Sequence, residues 1–223
     1  MISVIIPVLN EEDTIEKTLS ELDKETDVEV IVVDGGSTDR TCEIVRKFNC
    51  RLIESQANRA VQMNIGAKAA KGDNLIFLHS DCILENGSIK AVEKCLSNGF
   101  LGGCLTHKIL SPNLIFRFIE VSGNIRAALL RIFYGDQAIF VRRTSFFSLG
   151  MFEQVDILED VKFSKALKKI GKTCILKNKV FVSARRWKKL GVIKTTFINW
   201  IVSVGFAMGV PLNKLKALYK NVR

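Results

Sequence analysis

The stretch Ile2–Val8, ISVIIPV, decides the fold, because it is an almost continuous run of apolar and β-branched residues. Such a run is typical of a strand buried on both faces of a parallel sheet. Four polar residues, 10–13, follow at once, and Ile15, Leu19 and Leu22 then recur at helical spacing. We therefore predict a strand followed by a helix, with acidic residues at the positive end of the helix dipole.

The same alternation continues through the first half of the chain. Apolar strands are predicted at residues 28–33, 51–54 and 74–78, with helices between them. This order predicts an α/β sandwich around a mostly parallel sheet. Ligands bind beyond the carboxyl ends of such strands. Three polar clusters fall there: Asn10-Glu11, Asp34-Gly35-Gly36-Ser37 and His79-Ser80-Asp81.

The second half is less regular, and its end is uncharged. Amphipathic helices are predicted at residues 114–133 and 158–170, with short strands at 138–141, 173–176 and 180–183. Residues 195–213 carry no charge, but Asn, Ser, Gly and Pro within them make a poor membrane span. We expect one or two helices there that lie on a membrane surface or pack on the domain. We accordingly divide the chain into a domain of residues 1–190 and a helical segment of residues 191–223.

Charge is distributed unevenly along the 223 residues, whose formal net charge is +10. Residues 161–223 hold 16 Lys and Arg and no acid, whereas the first 160 hold 17 basic and 23 acidic residues. A basic block of this kind is typical of contact with phosphate-rich partners or anionic lipid, or else of a solvated face. We expect peripheral contact with a membrane and no nucleic acid partner.

The six cysteines form no CxxC pair and have no histidine cluster beside them, which disfavours zinc. Their spacing does not resemble a secreted disulfide framework, and the start MISVIIPV has no basic region before an apolar core. We predict a reducing, cytoplasmic location, with attachment to the inner face of the cell membrane.

Several common sites are disfavoured by their motifs. No GxGxxG follows the first strand, which argues against a dinucleotide site. Gly171-Lys172-Thr173 has the end of a P-loop, but it follows a helix and precedes a strand, which is the wrong order. No serine elbow of a hydrolase is present.

Five motifs in order resemble glycosyltransferase family 2, the inverting enzymes of the Rossmann-like GT-A fold. The likeness runs from Ser3 to about Trp187. The five motifs are SVIIPVLNEE, VVDGGSTD, NIGAKAAKGDNLIFLHSD, GDQAIFVRR and LEDVKFSKALKKIG. The chain also resembles the short bacterial branch associated with arsenosugar biosynthesis and radical-SAM/selenodomain gene neighbourhoods. Members of that branch share GDQ, ED and ARRW.

The resemblance implies a role for each matching residue. The nucleotide pocket would be lined by Pro7, Leu9 and Glu11, and Asp34 would contact the base or ribose. Other residues would face the donor or its diphosphate: Arg59, Asn64, Ser80, Arg186 and Trp187. The resemblance also places Asp160, in the pair Glu159-Asp160, as the general base, with Asp136 as the backup candidate that positions the acceptor. The resemblance also implies a UDP- or GDP-sugar as the donor. It leaves the acceptor unknown, and a lipid-linked acceptor is compatible with it.

The metal site departs from the family pattern. Asp81 matches the last Asp of the family's DxD motif and would hold Mg²⁺ or Mn²⁺ on the donor diphosphate, but His79 stands in the first position. A neutral imidazole binds Mn²⁺ and is a poor ligand for Mg²⁺. His79 is therefore either a metal ligand or a hydrogen-bond partner of the donor. His107, the second histidine, is expected to be an ordinary partly buried residue.

Two other classes of protein remain as alternatives. A nucleotidyltransferase can share a similar sheet, but it is expected to carry a Gly-rich basic loop after the first strand, where this chain has the acidic VLNEEDT. A non-catalytic membrane-binding module would use the basic C-terminal segment. That class leaves the acidic residues at the strand ends without a role.

Overall fold

The computed structural model describes residues 1–218 and contains one eight-stranded sheet in the order β3-β2-β1-β4-β7-β6-β8-β5. Helices cover both faces, so the predicted α/β sandwich is confirmed. The strands are β1 Ile2–Val8, β2 Val28–Asp34, β3 Arg51–Glu54, β4 Asn74–Phe77, β5 Cys82–Leu84, β6 Gly102–Leu110, β7 Ile139–Arg142 and β8 Thr173–Ser183.

Helices connect most of these strands, and the last three follow the sheet. They are α1 Ile15–Leu22, α2 Thr41–Val45, α3 Arg59–Ala69, α4 Ser88–Ser97, α5 Leu114–Leu130, α6 Arg143–Ser148, α7 Glu159–Ile170, α8 Arg185–Leu190, α9 Val192–Ala207 and α10 Leu212–Leu218. A single 3₁₀ turn, Gly135–Gln137, precedes β7.

Strand β1 lies at the centre of the parallel half of the sheet. It pairs in parallel with β2 from Ile2 opposite Val28 to Val8 opposite Asp34, and with β4 on its other edge. Its side chains alternate between two cores: Val4 and Ile6 pack under α1, whereas Ile5 packs under α3. Burial on both faces explains why the run is apolar throughout rather than at every second residue.

The other half of the sheet is mixed, which refines the expectation of a mostly parallel sheet. Strand β7 runs antiparallel to both β4 and β6, and β5 runs antiparallel to β8, while β6 and β8 are parallel. Strand β8 is continuous from Thr173 to Ser183 and replaces the two short strands predicted there. Four of the seven pairings are therefore parallel.

Helix α5 directs Glu120 and Asn124 to the sheet and buries Phe116 and Ala127, while most of its other apolar side chains face solvent. Strand β6 pairs with β7 only at Gly102 and Gly103, so the rest of that edge lacks a partner strand. Side chains of α5 take its place: Glu120 accepts from the Ile109 N–H, and Asn124 bonds both the N–H and the carbonyl of His107. The helix is amphipathic, as predicted, with its polar face inward.

The C-terminal helices α9 and α10 pack against the rest of the protein through one side. Val202 and Leu215 form a buried cluster with Ile157, and Lys165 lies 4.4 Å from the ring centre of Phe206. No helix within residues 1–218 combines the length and the apolar character needed to cross a bilayer. The last five residues of the predicted segment, 219–223, lie outside the described part of the chain.

The structure joins Cys95 of α4 to Cys174 of β8 as a disulfide, across 79 positions of sequence. The cysteine spacing does not predict this pair. The pairing arises because α4 packs against β8. The other four cysteines are free.

The contact between α3 and β1 gives a stability prediction. A Cβ on Gly66 would lie 2.5 Å from Cγ2 of Ile5, whereas a Cβ on Gly123, in α5, would meet nothing within 4 Å. We expect Gly66→Ala to lower the free energy of unfolding by about 1–3 kcal/mol through overpacking. Gly123→Ala should raise it by about 0.5–1 kcal/mol, because alanine is the better helix former. Urea denaturation of the two variants checks this, and equal effects would contradict the close approach of α3.

Candidate active site

The strand ends meet at a cavity of about 270 Å³ beyond the carboxyl ends of β1 and β4. Its walls come from distant parts of the chain: the loops after β1 and β4, the 3₁₀ turn, the start of α7, and helices α8 and α9. Most of the residues predicted for the site line it: Pro7, Leu9, Glu11, Arg59, His79, Ser80, Asp81, Asp136, Asp160, Arg186 and Trp187.

Three predicted site residues do not line the cavity. The carboxylate of Asp34 is buried in its own turn, where it accepts bonds from the N–H groups of Gly36 and Ser37, each at 2.9 Å. Both polar atoms of the Asn64 amide bond the backbone of Phe152, at 2.8 and 3.0 Å. Glu159 is buried behind Asp160. In the structure Asp34 and Asn64 are bound to the backbone, and their contacts with the donor stay predictions.

Asp160 lies in the first turn of α7 with its carboxylate turned to the cavity. One oxygen accepts from the Gly135 N–H at 2.6 Å and the other from the Val161 N–H at 2.7 Å. Burial raises the pKa of this carboxyl group to about 7, and the neighbouring charge of Glu159 adds to the shift. A carboxylate with a pKa near neutral is suited to accept a proton at physiological pH.

Glu159 and Arg59 form an ion pair beneath the cavity. The guanidinium Nη1 of Arg59 lies 3.5 Å from Oε1 of Glu159, whose side chain is almost wholly buried. This pair joins the start of α3 to the start of α7. Its position gives Glu159 an indirect influence on the site, through the charge that it places beside Asp160.

Arg185, at the start of α8, bridges two carboxylates of the cavity. Its Nη2 lies 2.5 Å from Glu11 Oε2, and its Nε lies 3.4 Å from Asp81 Oδ2. Burial raises the pKa of Asp81, and the Arg185 charge opposes that rise. The bridge keeps a cation next to two acidic groups that would otherwise repel each other.

His79, Asp81 and Cys82 could hold a metal ion, since their candidate ligand atoms lie within 4.8 Å of one another. Nε2 of His79 is buried and has no hydrogen-bond partner, and burial together with Arg59 lowers the pKa of the imidazole to about 4. A neutral imidazole and a carboxylate fit Mn²⁺. Burial holds the pKa of the Cys82 thiol well above its usual range. A soft sulfur donor suits Mg²⁺ or Mn²⁺ less well than a carboxylate does.

Gly135 separates the candidate metal ligands from Asp160. A Cβ at this position would lie 2.7 Å from His79 Nε2 and 3.4 Å from Asp160 Oδ2. Any side chain at residue 135 would therefore fill the space between the imidazole and the carboxylate. The motif Gly135-Asp136-Gln137 thus contributes the Asp136 carboxylate to the cavity. Because Gly135 has no side chain, it also leaves space between His79 and Asp160.

Asp136 is paired with His107, which the sequence led us to expect as an ordinary residue. His107 is buried, and its Nε2 lies 3.5 Å from Asp136 Oδ2. Since Asp136 lines the cavity, His107 touches a site residue from behind. No sequence signal marked it, because β6 carries none of the motifs.

Sequence reasoning also missed the contribution of helix α9. Asn199, Val202 and Ser203 line the cavity, and the Tyr134 hydroxyl lies 2.7 Å from Ser203 Oγ. The signal available in the sequence was the presence of Asn199 and Ser203 within an otherwise apolar, uncharged stretch. Both residues line the cavity.

The comparisons with known proteins agree with this geometry. The sequence model of glycosyl transferase family 2 matches residues 3–147, and the chain belongs to that family. An uncharacterized glycosyltransferase of Haemophilus influenzae is 27% identical over 88% of this chain and 92% of its own length. Glycosyltransferase AglE of Haloferax volcanii is 40% identical, but over only 36% of this chain and 30% of its own length.

Solved structures share the fold. The mannosyltransferase PcManGT of Pyrobaculum calidifontis, in complex with GDP-Man and Mn²⁺, has a TM-score of 0.70 at 19% identity, over 90% of this chain and 61% of that one. TarS of S. aureus in complex with UDP-GlcNAc has a TM-score of 0.64 at 20% identity, over 82% and 58%. These likenesses show the GT-A fold, and the chain spans about three fifths of each structure.

The environment of Asp160 predicts its titration. We expect the Asp160 carboxyl carbon, followed by NMR of protein labelled at aspartate, to titrate near pH 7. Glu159→Gln should move the midpoint to lower pH, because it removes a negative charge that favours the protonated form. Glu153→Gln, at an exposed acid, should leave the midpoint unchanged. A midpoint near 4 in the unaltered protein would contradict the burial of this group.

Proposed function

We propose that the protein transfers a sugar from a nucleotide-sugar donor to an acceptor hydroxyl and inverts the anomeric carbon. The observation that carries this is the single cavity shared by Asp81 and Asp160, in a chain of glycosyl transferase family 2. A single displacement inverts the carbon and needs no covalent nucleophile. The family membership favours this activity over the nucleotidyltransferase and the non-catalytic module considered from the sequence.

Asp160 acts as the general base. Its raised pKa lets the carboxylate take the proton from the attacking hydroxyl as the new glycosidic bond forms, near neutral pH. The Gly135 and Val161 N–H groups fix its orientation. Asp136, beside His107, orients the acceptor hydroxyl from the same wall of the cavity.

Asp81 and His79 are the residues that would hold Mn²⁺ or Mg²⁺, and Mn²⁺ suits their mixed donor set better. A bound divalent ion supplies positive charge that stabilises the departing nucleoside diphosphate. Arg185, whose Nε lies 3.4 Å from Asp81 Oδ2, and Arg186 add cationic side chains to the lining of the cavity. Pro7, Leu9 and Trp187 supply apolar wall for the nucleotide, with Glu11 held in place by Arg185.

The similar proteins narrow the donor to a class. The TarS structure holds UDP-GlcNAc and the PcManGT structure holds GDP-Man, which supports a UDP- or GDP-sugar here. A lipid-linked acceptor and a peripheral position on the inner face of the cell membrane also belong to this proposal. We also propose that the chain belongs to the arsenosugar-associated branch of the family. It is divided, in this proposal, into a transferase domain, residues 1–190, and an added segment, residues 191–223.

The metal role of Asp81 is tested by Asp81→Ala. We expect loss of transfer and a weaker affinity for UDP or GDP in the presence of Mn²⁺, because the substitution removes the carboxylate ligand. Isothermal titration of the nucleoside diphosphate, with and without Mn²⁺, measures the second effect. Asp23→Ala, at an exposed acid beyond α1, is the control. Unchanged Mn²⁺-dependent binding would remove Asp81 from the metal site.

The base role of Asp160 is tested by Asp160→Asn. We expect turnover to fall by roughly two to four orders of magnitude, the usual range for a positioned base, while donor affinity stays nearly the same. Initial rates and nucleotide titrations on one preparation separate the two quantities. A loss confined to donor affinity would make Asp160 a binding residue.

The activity itself is tested by a panel of nucleotide-sugars scored for released nucleoside diphosphate, with and without Mn²⁺. Release that requires one donor and disappears in Asp160→Asn is the expected result. Binding of no nucleotide in any metal condition would contradict the proposal.

A further inference from the structure

Helix α5 leaves a continuous apolar stripe facing solvent. Five side chains along one face are 52–81% exposed, and they recur at helical spacing: Leu114, Phe118, Val121, Ile125 and Leu129. The polar side of α5 cannot turn outward, because Glu120 and Asn124 complete the open edge of β6. The outward position of the stripe is therefore fixed by the hydrogen bonding of the sheet.

Helix α9 has a second exposed apolar face. Five side chains on this face are 55–79% exposed and recur at helical spacing: Ile193, Phe197, Trp200, Val204 and Met208. Met208 lies just after the end of the helix. The other side of the helix carries Asn199 and Ser203, which line the cavity. One helix thus separates the active-site cavity from an exposed apolar surface.

Helix α5 is linked to α9 near both of its ends through residues that contact both helices. Near its start, Phe116 packs edge to face on Trp187 of α8, with ring centres 5.9 Å apart, and Val192 of α9 joins that cluster. Near its end, the Arg126 guanidinium lies 3.5 Å from the centre of the Tyr134 ring. The Tyr134 hydroxyl in turn bonds Ser203 of α9. We call the exposed apolar faces of α5 and α9, taken together, the α5–α9 surface.

Residues 187–206 contain four aromatic side chains, and two of them are not part of this surface. Trp187 is buried against Phe116, and Phe206 packs in the cluster beneath α9. The other two, Phe197 and Trp200, are exposed on it.

The charges around the α5–α9 surface are predominantly positive. Lys188 and Lys189 are exposed at the end of α8, which packs against α9, and Lys194 is exposed in the first turn of α9. The acid of α5, Glu120, is buried and paired with Arg117 at 2.8 Å. No acid occurs from residue 161 onward. An apolar surface with a basic margin complements an anionic lipid surface.

This charge pattern distinguishes a membrane from a second copy of the chain. Pairing two α5–α9 surfaces would bring two sets of lysines together, and like charges in contact oppose association. Anionic headgroups would instead neutralise the same lysines, each adding roughly 1 kcal/mol near the surface. We infer that the α5–α9 surface docks on an anionic lipid bilayer and inserts its apolar side chains at the interface.

Docking in this way places the active-site cavity one helix away from the lipid. If the proposed transferase activity is correct, an acceptor carried by the bilayer reaches the cavity past α9 without leaving the interface. The docking inference itself does not depend on that activity, since it rests on exposure and charge.

The experiment is vesicle flotation with the full chain. Vesicles of phosphatidylcholine alone are compared with vesicles that contain about one third phosphatidylglycerol, at low and high salt. We expect binding to the anionic vesicles at low salt, with release at high salt as the charges are screened. Phe118→Gln and Phe197→Gln should each lower vesicle affinity about tenfold, since each removes one inserted aromatic side chain. Lys188→Gln with Lys189→Gln should lower it further on anionic vesicles alone.

The control is Ile170→Gln, which removes an exposed apolar side chain at the end of α7, outside the α5–α9 surface. It should bind like the unaltered protein. Thermal unfolding and UDP or GDP titration of every variant show that the fold and the cavity are kept. A nucleotide titration that fails while flotation succeeds would contradict the proposed function and leave the docking inference standing.

Three results would overturn the inference. The first is equal recovery in the soluble fraction at every vesicle composition. The second is a loss of binding in Ile170→Gln as large as in Phe118→Gln. The third is a stable dimer by sedimentation that Phe118→Gln converts to a monomer, because the surface would then be occupied by a second copy.

Discussion

The parallel pairing of β1 between β2 and β4 is the constraint on which the rest of the structure depends. It places three strands in the same direction, so that the loops after β1 and β4 open at the same edge of the sheet. Burial of β1 on both faces fixes its position, since neither α1 nor α3 can move without exposing Ile5 or Ile6. Glu11 and Asp81 are thereby brought to the same edge of the sheet, because each follows its strand by a few residues.

The acidic groups collected at that edge create an electrostatic problem that the later part of the chain solves. Glu11, Asp81, Asp136 and Asp160 line one cavity, and burial raises the pKa of both Asp81 and Asp160 there. Arg185 neutralises the first two through a direct bridge, and Arg59 neutralises Glu159 beneath the fourth. The uneven distribution of charge along the sequence is thus explained in part by the cavity. Arg185, from the basic second half of the chain, neutralises two acidic residues of the first half.

The sequence was informative where one segment determines one element. The apolar run of β1, the strand ends and the Glu159-Asp160 pair at the start of α7 were all predictable, because local pattern and position in the sheet agree. Three features required tertiary contacts: the outward apolar face of α5, the partnership of His107 with Asp136, and the approach of Cys95 to Cys174. Hydrophobic periodicity shows that α5 has two faces, but only the open edge of β6 decides which one turns inward. Asp34 and Asn64 were predicted from their places in the motifs, but a motif does not show what a side chain bonds. Both side chains are bound to the backbone in the structure.

The bridge from Glu11 to Arg185 joins residues 174 positions apart. A chain is synthesised from its N-terminus, and contacts between distant residues carry the largest loop-closure cost. The β-α half can therefore assemble while Glu11 and Asp81 still lack their counter-charge, and two neighbouring carboxylates hold each other apart until α8 arrives. The cavity cannot be complete before α8 and α9, which form part of its wall, are in place, and a chain that ended before residue 185 would have the sheet edge without a closed pocket.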